Sequence, residues 1–169
     1  NEKINYDQLR YTDPDYLNAA HCLENTYRQW EYYLSDALLR NFGKYVSISL
    51  ANDLNIDHME ADLSGFIPPT RFSSLTALMG KFQHQGHNLA DFHAAILHNA
   101  YVDMAVGKST EKTRKWSPSV NLLYRMNGPR GHYSQDWRFS FKDIFRMPTF
   151  TECYYRLFGA AALKPEDVK

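Results

Sequence analysis

Strict alternation of apolar and polar residues is the feature that most narrows what this chain can build. Val120, Leu122, Tyr124 and Met126 alternate with Ser119, Asn121, Leu123 and Arg125. Trp137, Phe139 and Phe141 alternate with Arg138, Ser140 and Lys142. Successive side chains of an extended strand point to opposite faces, so each run has one apolar side. Asn127-Gly128-Pro129-Arg130-Gly131 between them is a turn sequence, which predicts a hairpin with one apolar and one partly basic face. Tyr45 to Leu50 alternates in the same way and predicts a short strand.

Elsewhere the spacing reads as helical. Tyr16, Ala20, Leu23, Tyr27, Trp30, Leu34 and Ala37 recur at steps of four and three, which puts all seven on one helical stripe. Asp13-Pro14 fits a helix start and Gly43 a helix end. Residues 52–69 read as a loop ending at Pro68-Pro69. Thr70 caps a helix over 71–82, and Asn88 caps another that runs to Val106 and Gly107. Thr149 and Glu152 form a capping box that opens a last helix, reaching about Leu163. The expected fold is α+β and mainly helical: a long N-terminal helix, two central helices, a C-terminal β-hairpin and a final helix. Residues 1–12 are expected to be a frayed segment before a single globular domain over 13–165.

Composition excludes disorder: 22% of the residues are charged, 44% are hydrophobic and 15% are aromatic. The longest apolar run lies near Phe158 to Leu163, far too short for a membrane-crossing helix. No signal-peptide pattern opens the chain. Cys22 and Cys153 have no Cys-x-x-Cys context and are expected to be free thiols. These points lead to an expectation of a cytoplasmic protein without membrane contact.

The formal net charge is zero, yet it divides unevenly. Residues 1–104 hold 7 Lys/Arg and 13 Asp/Glu, a net of −6, and residues 105–169 hold 12 and 6, a net of +6. A dipolar chain with a long amphipathic helix suits an interaction protein or assembly subunit with no chemistry of its own. Its partner is expected to be another protein or a further copy, with Tyr27 and Trp30 as aromatic anchors. The alternative is nucleic-acid binding or regulation by the basic hairpin. Lys112, Arg114, Lys115, Arg125, Arg130, Arg138 and Lys142 would neutralise phosphates, and the interleaved aromatics would stack bases.

A third alternative is a metal-assisted hydrolase around His87, Asp91 and His98, which share one face if residues 88–106 are helical, whereas His93 turns to the apolar side. His87 and His98 would then stand about 16 Å apart, too far to share an ion, so no metal is assigned. Asp53-x-Asn55-x-Asp57 opens like a calcium loop, but His58 and Ser64 occupy the positions that need Gly and Glu. Phosphate-loop, dinucleotide, zincin and nucleophile-elbow motifs are absent, so no catalytic residue and no cofactor is assigned.

Overall fold

The computed structural model describes residues 1–13, 23–63, 65–105, 107, 109–128, 133–154 and 165–168. Seven strands follow one another in space as in sequence: β1 (Glu2–Asp13), β2 (Leu23–Phe42), β3 (Val46–Ala61), β4 (Pro69–Gln85), β5 (Leu89–Ala105), β6 (Glu111–Asn127) and β7 (Ser134–Lys142). Every neighbouring pair is antiparallel. A short β8 (Ile144–Arg146), one helical turn α1 (Phe150–Tyr154) and β9 (Glu166–Val168) follow, with β8 and β9 paired to each other.

The mainly helical α+β expectation is therefore overturned. Most of the long N-terminal helix is β2, and residues 14–22 of it lie outside the described residues. The two central helices are β4 and β5, and the 52–69 loop is half strand, because β3 runs on to Ala61. Residues expected to fray form β1, whose Glu2 to Asp13 pair with Leu34 to Leu23. The physical reason lies in the heptad-like stripe itself. Tyr27 and Ala37 project from one face of β2, and Trp30 and Leu34 from the other. Apolar residues at both parities mimic a 3.5 period. In β5, Ala90, Ala94, Ala95 and Ala100 favour helix locally, but ladders to β4 and β6 override that preference. The expected caps serve the sheet instead. Thr70 Oγ1 lies 2.8 Å from His58 Nδ1, and Asn88 Oδ1 accepts the Asn127 amide at 3.2 Å.

Three local expectations match, the first being the strand over Tyr45 to Leu50, which opens β3 at Val46. Ser119–Asn127 pairs with Ser134–Lys142 as the hairpin. The Thr149 capping box is present: Thr149 Oγ1 accepts the Glu152 amide at 3.3 Å, and Glu152 Oε2 accepts the Thr149 amide at 2.7 Å. The described part of that helix is only Phe150–Tyr154.

The ladders run in constant register, without a slipped residue, so each face can be read directly from the numbering. One face carries the even residues of β1–β6 and the odd residues of β7; the other carries the rest. Connections at one end of the sheet are Gly43-Lys44-Tyr45, Gly86-His87-Asn88 and the six residues 128–133. Gly43 sits at φ 65°, a conformation other residues adopt only with strain. Connections at the other end are residues 14–22, 62–68 and 106–110. Pro118 lies inside β6, where the missing N–H would break a ladder. The Asp143 amide donates to the Pro118 carbonyl at 3.0 Å, so this residue's polar groups face β7, and the β7 ladder stops at Ser119. Proline thus sits where the neighbouring strand ends.

The register makes a direct test. Asn52 and Thr76 face each other across β3 and β4. The double variant Asn52→Cys/Thr76→Cys should oxidise to an intrachain disulfide, because directly paired strand residues hold their Cα atoms within bridging distance. Asn52→Cys/Leu75→Cys, with side chains on opposite faces, should stay reduced. Mass spectrometry under mild oxidation distinguishes them, and a bridge in the second variant alone would refute the register.

Candidate functional site

The sheet is inverted relative to a soluble layer. Ile4, Tyr6, Trp30, Leu38, Phe42, Ile48, Leu50, Leu78, Phe82, Phe92, Ile96, Trp116, Leu122, Trp137, Phe139 and Phe141 are exposed on one face, whereas Leu9, Leu39 and Met79 are the exposed large apolar side chains on the other among the described residues of β1–β7. Asn25, Asp57, Arg71, Ser73, Asn99 and Ser117 are buried polar residues, and all lie on the other. The buried apolar residues Tyr27 and Met59 share that second face, where Phe150 packs on them. Burial there comes from a strap, residues 147–154, which turns back over the polar face.

Arg71 is the centre of this site. Its side chain is 4% exposed, held by Asp103 through Nε–Oδ1 at 2.6 Å and Nη2–Oδ2 at 2.8 Å. The remaining Nη1 donates to the Pro148 carbonyl at 2.6 Å, the Phe150 ring lies 5.8 Å from the guanidinium carbon, and Cys153 Sγ lies 3.8 Å from Nη2. Burial alone would lower the Arg71 pKa, but the bonds and charge of Asp103 outweigh it, and the guanidinium is fixed in its charged form. A bidentate pair with a third donor spent on the strap uses the planar fork fully.

Five charged residues stand in one cross-strand row: Glu31, Asp57, Arg71, Asp103 and Glu111. Asp57 is 7% exposed and is pushed up to about 6, first by burial and then by the charge of Glu31. The hydrogen bond from Asn55 Nδ2 (3.0 Å) and the charge of Arg71 work against that rise. Glu31 accepts from Asn5 Nδ2 at 2.8 Å. Asp53, Asn55 and Asp57 alternate down β3 and, with Tyr33, Tyr101 and the strap, line a cavity of about 440 Å³. The triplet that resembled a calcium loop is thus a strand whose carboxylates share one face.

The expected basic footprint is divided. Lys112 and Arg114 are exposed on the apolar face, and Lys115, Arg125, Arg138 and Lys142 stand on the polar face. Arg130 lies outside the described residues. Lys115 pairs with Asp167, Arg125 with Asp136 in two bonds of 2.6 and 2.8 Å, and Arg138 approaches Asp136 at 3.6 Å. The hairpin does bring Arg125, Arg138 and Lys142 to one face. Tyr27 and Trp30, the expected anchors, point to opposite faces: Tyr27 is 1% exposed and Trp30 is 49% exposed. The histidines disperse. His93 Nε2 meets Asp91 Oδ1 at 2.6 Å on the polar face, whereas His98 stacks on Trp116 across the sheet, ring centres 4.3 Å apart. Among the described residues no group of His, Cys, Asp or Glu is placed to hold a metal ion. Cys153 is a free thiol, and Cys22 lies outside the described residues.

Sequence reading missed Arg71 and Asp103 because their association is set by the register of β4 on β5. Local spacing carries no trace of a pair 32 residues apart. No protein-family model matches the chain, and no curated protein matches it. Among the described residues no helix is long and apolar enough to cross a membrane.

Asp103→Ala would leave the Arg71 charge buried without its counter-ion and should cost about 3–5 kcal/mol in denaturant unfolding. Asp136→Ala, which breaks the solvated Arg125 pair, should leave the unfolding midpoint unchanged. Equal effects of the two changes would contradict the central role of Arg71.

Proposed function

We propose that this chain forms wall of a transmembrane β-barrel, with its even-numbered face against lipid acyl chains and its polar face lining the interior. Its role is structural and non-enzymatic, and the bilayer takes the place of the cytoplasmic setting expected from the sequence. The accessible surface is 11988 Å², against about 8,600 Å² for a compact monomer of this mass. An uncovered sheet face contributes to that excess, and a soluble domain would bury such a face under a second layer.

The observation that carries the reading is the slant of the apolar band. The row Ile4, Tyr32, Ile56, Phe72, Val102 is apolar from β1 to β5 and ends at Lys112 on β6. Nearer the short turns, the row Arg40, Ile48, Gly80, Ala94, Val120, Phe141 begins charged and ends apolar. The band therefore crosses the strands diagonally. From Ile4 and Tyr6 on β1 to Phe139 on β7 its centre moves by about eleven residues in six steps, a slant of roughly 50°. Membrane barrels tilt their strands by about 35–45°, so a level lipid belt must cross them at nearly this angle.

Dimensions support the same reading. β4, β5 and β6 each have 17 residues. At about 3.3 Å per residue and a 45° tilt they rise roughly 40 Å, close to a bilayer with its headgroups. Connections of three, three and six residues at one end, against nine, seven and five at the other, lean towards the asymmetry such barrels show. β1 and β7 run in the same direction, so an all-antiparallel closure requires an odd number of further strands between them.

All three tryptophans, Trp30, Trp116 and Trp137, lie on the lipid-directed face. In vesicles with brominated acyl chains their fluorescence should be strongly quenched. Leu50→Arg should destabilise the inserted protein by roughly 2–4 kcal/mol, and Ser49→Arg on the opposite face by less than about 1 kcal/mol. Unquenched tryptophans in a protein that stays monomeric without lipid or detergent would defeat the proposal.

A further inference from the structure

The strap and the carboxylate beneath it share a cavity whose geometry is the same whether or not the sheet meets lipid. Met147 to Phe150 roof the cavity into which Asp57 faces. The charged groups around that carboxyl are Glu31 from β2, Asp53 on β3, Arg71 from β4 and Asp103 beyond it on β5; the strap adds no cation. Arg71 spends Nε and Nη2 on Asp103 and Nη1 on Pro148. Asp57 thus has Asn55 as its close donor, at 3.0 Å, and a like charge on its other side.

We propose that residues 147–154 are a pH-sensitive strap, which lies closed over Asp57 while that carboxyl is protonated and lifts when it ionises.

With the strap closed, the Asp57 carboxylate is 7% exposed and faces Glu31 in a cavity bordered by Met147 to Phe150. With the strap lifted, water reaches the carboxylate and screens it from Glu31. The closed-state pKa is raised to about 6 from an ordinary 3.8. The contribution to closure is therefore complete below the ordinary value and is lost as pH rises through about 6. Arg71 does not titrate in this range and stays clamped to Asp103, so lifting breaks the Pro148 bond and the Phe150 seat while the sheet remains intact.

Cys153 reports on the strap directly, because its sulfur rests against Arg71 in the closed form. Alkylation of Cys153 in the full-length Cys22→Ser protein, divided at each pH by the rate for the unfolded chain, measures opening without the thiol's own titration. The normalised rate should rise about tenfold between about pH 5 and pH 8. Asp57→Asn should be slow and flat across that range. Glu31→Gln should move the midpoint to lower pH, because removing the like charge eases ionisation. A wild-type rate independent of pH, a slope that survives Asp57→Asn, or an unmoved midpoint in Glu31→Gln would each overturn the switch. None of these readings depends on lipid, so failure here leaves the tryptophan quenching result standing, and the reverse also holds.

Discussion

Uninterrupted antiparallel pairing is the constraint on which everything else in this molecule depends. Six ladders without a slipped residue mean that a side chain's face follows from its number, through five tight or looped reversals and one hairpin. A shift of one residue in any ladder would turn the apolar set of that strand towards the charged row. The sheet gains its consistency from this parity rather than from a packed core, which among the described residues amounts to Tyr27, Met59 and Phe150.

Parity also explains why polar groups occupy the buried side. Arg71 can be covered because Asp103 and the Pro148 carbonyl satisfy its donors, and a paired guanidinium tolerates exclusion of water far better than a lone one. Phe150 then has a flat cation and two apolar neighbours to rest on. Among the described residues the apolar side has no such cover. Its aromatic and aliphatic side chains stand free in a slanted band, which is the arrangement expected when the covering material is a fluid layer of fixed thickness.

How far the sequence disclosed this can be followed strand by strand. β6 and β7 were legible because their even and odd residues differ sharply, Val-Leu-Tyr-Met against Ser-Asn-Leu-Arg. The same alternation opens β3, from Val46 and Ser47 onwards. It is obscured where Asn52 falls among the apolar residues and where Asp53, Asn55 and Asp57 resemble a polar loop. β2 was misread because Tyr27, Tyr33, Ala37 and Leu39 put apolar groups on the polar face, so two faces merged into one apparent helical stripe. β5 was misread because alanine carries strong helical preference and little strand preference. The Thr149–Glu152 box was readable, being wholly local, whereas the Arg71–Asp103 pair was not, since only the folded register creates it.

The proline in β6 has one more consequence. Because β7 leaves the sheet beside Pro118, the wall is seven strands wide near the short turns but six near the longer connections. The edge of β6 from Glu111 to Ser117 is left beside that step, and Lys115 reaches across it to Asp167. Beyond this step the chain lies against the covered face, where the Phe145 ring centre stands 6.2 Å from that of Tyr101 and the Pro148 carbonyl accepts from Arg71. One residue that cannot donate a hydrogen bond thus marks the point where the seventh strand leaves the sheet and the chain turns towards Arg71.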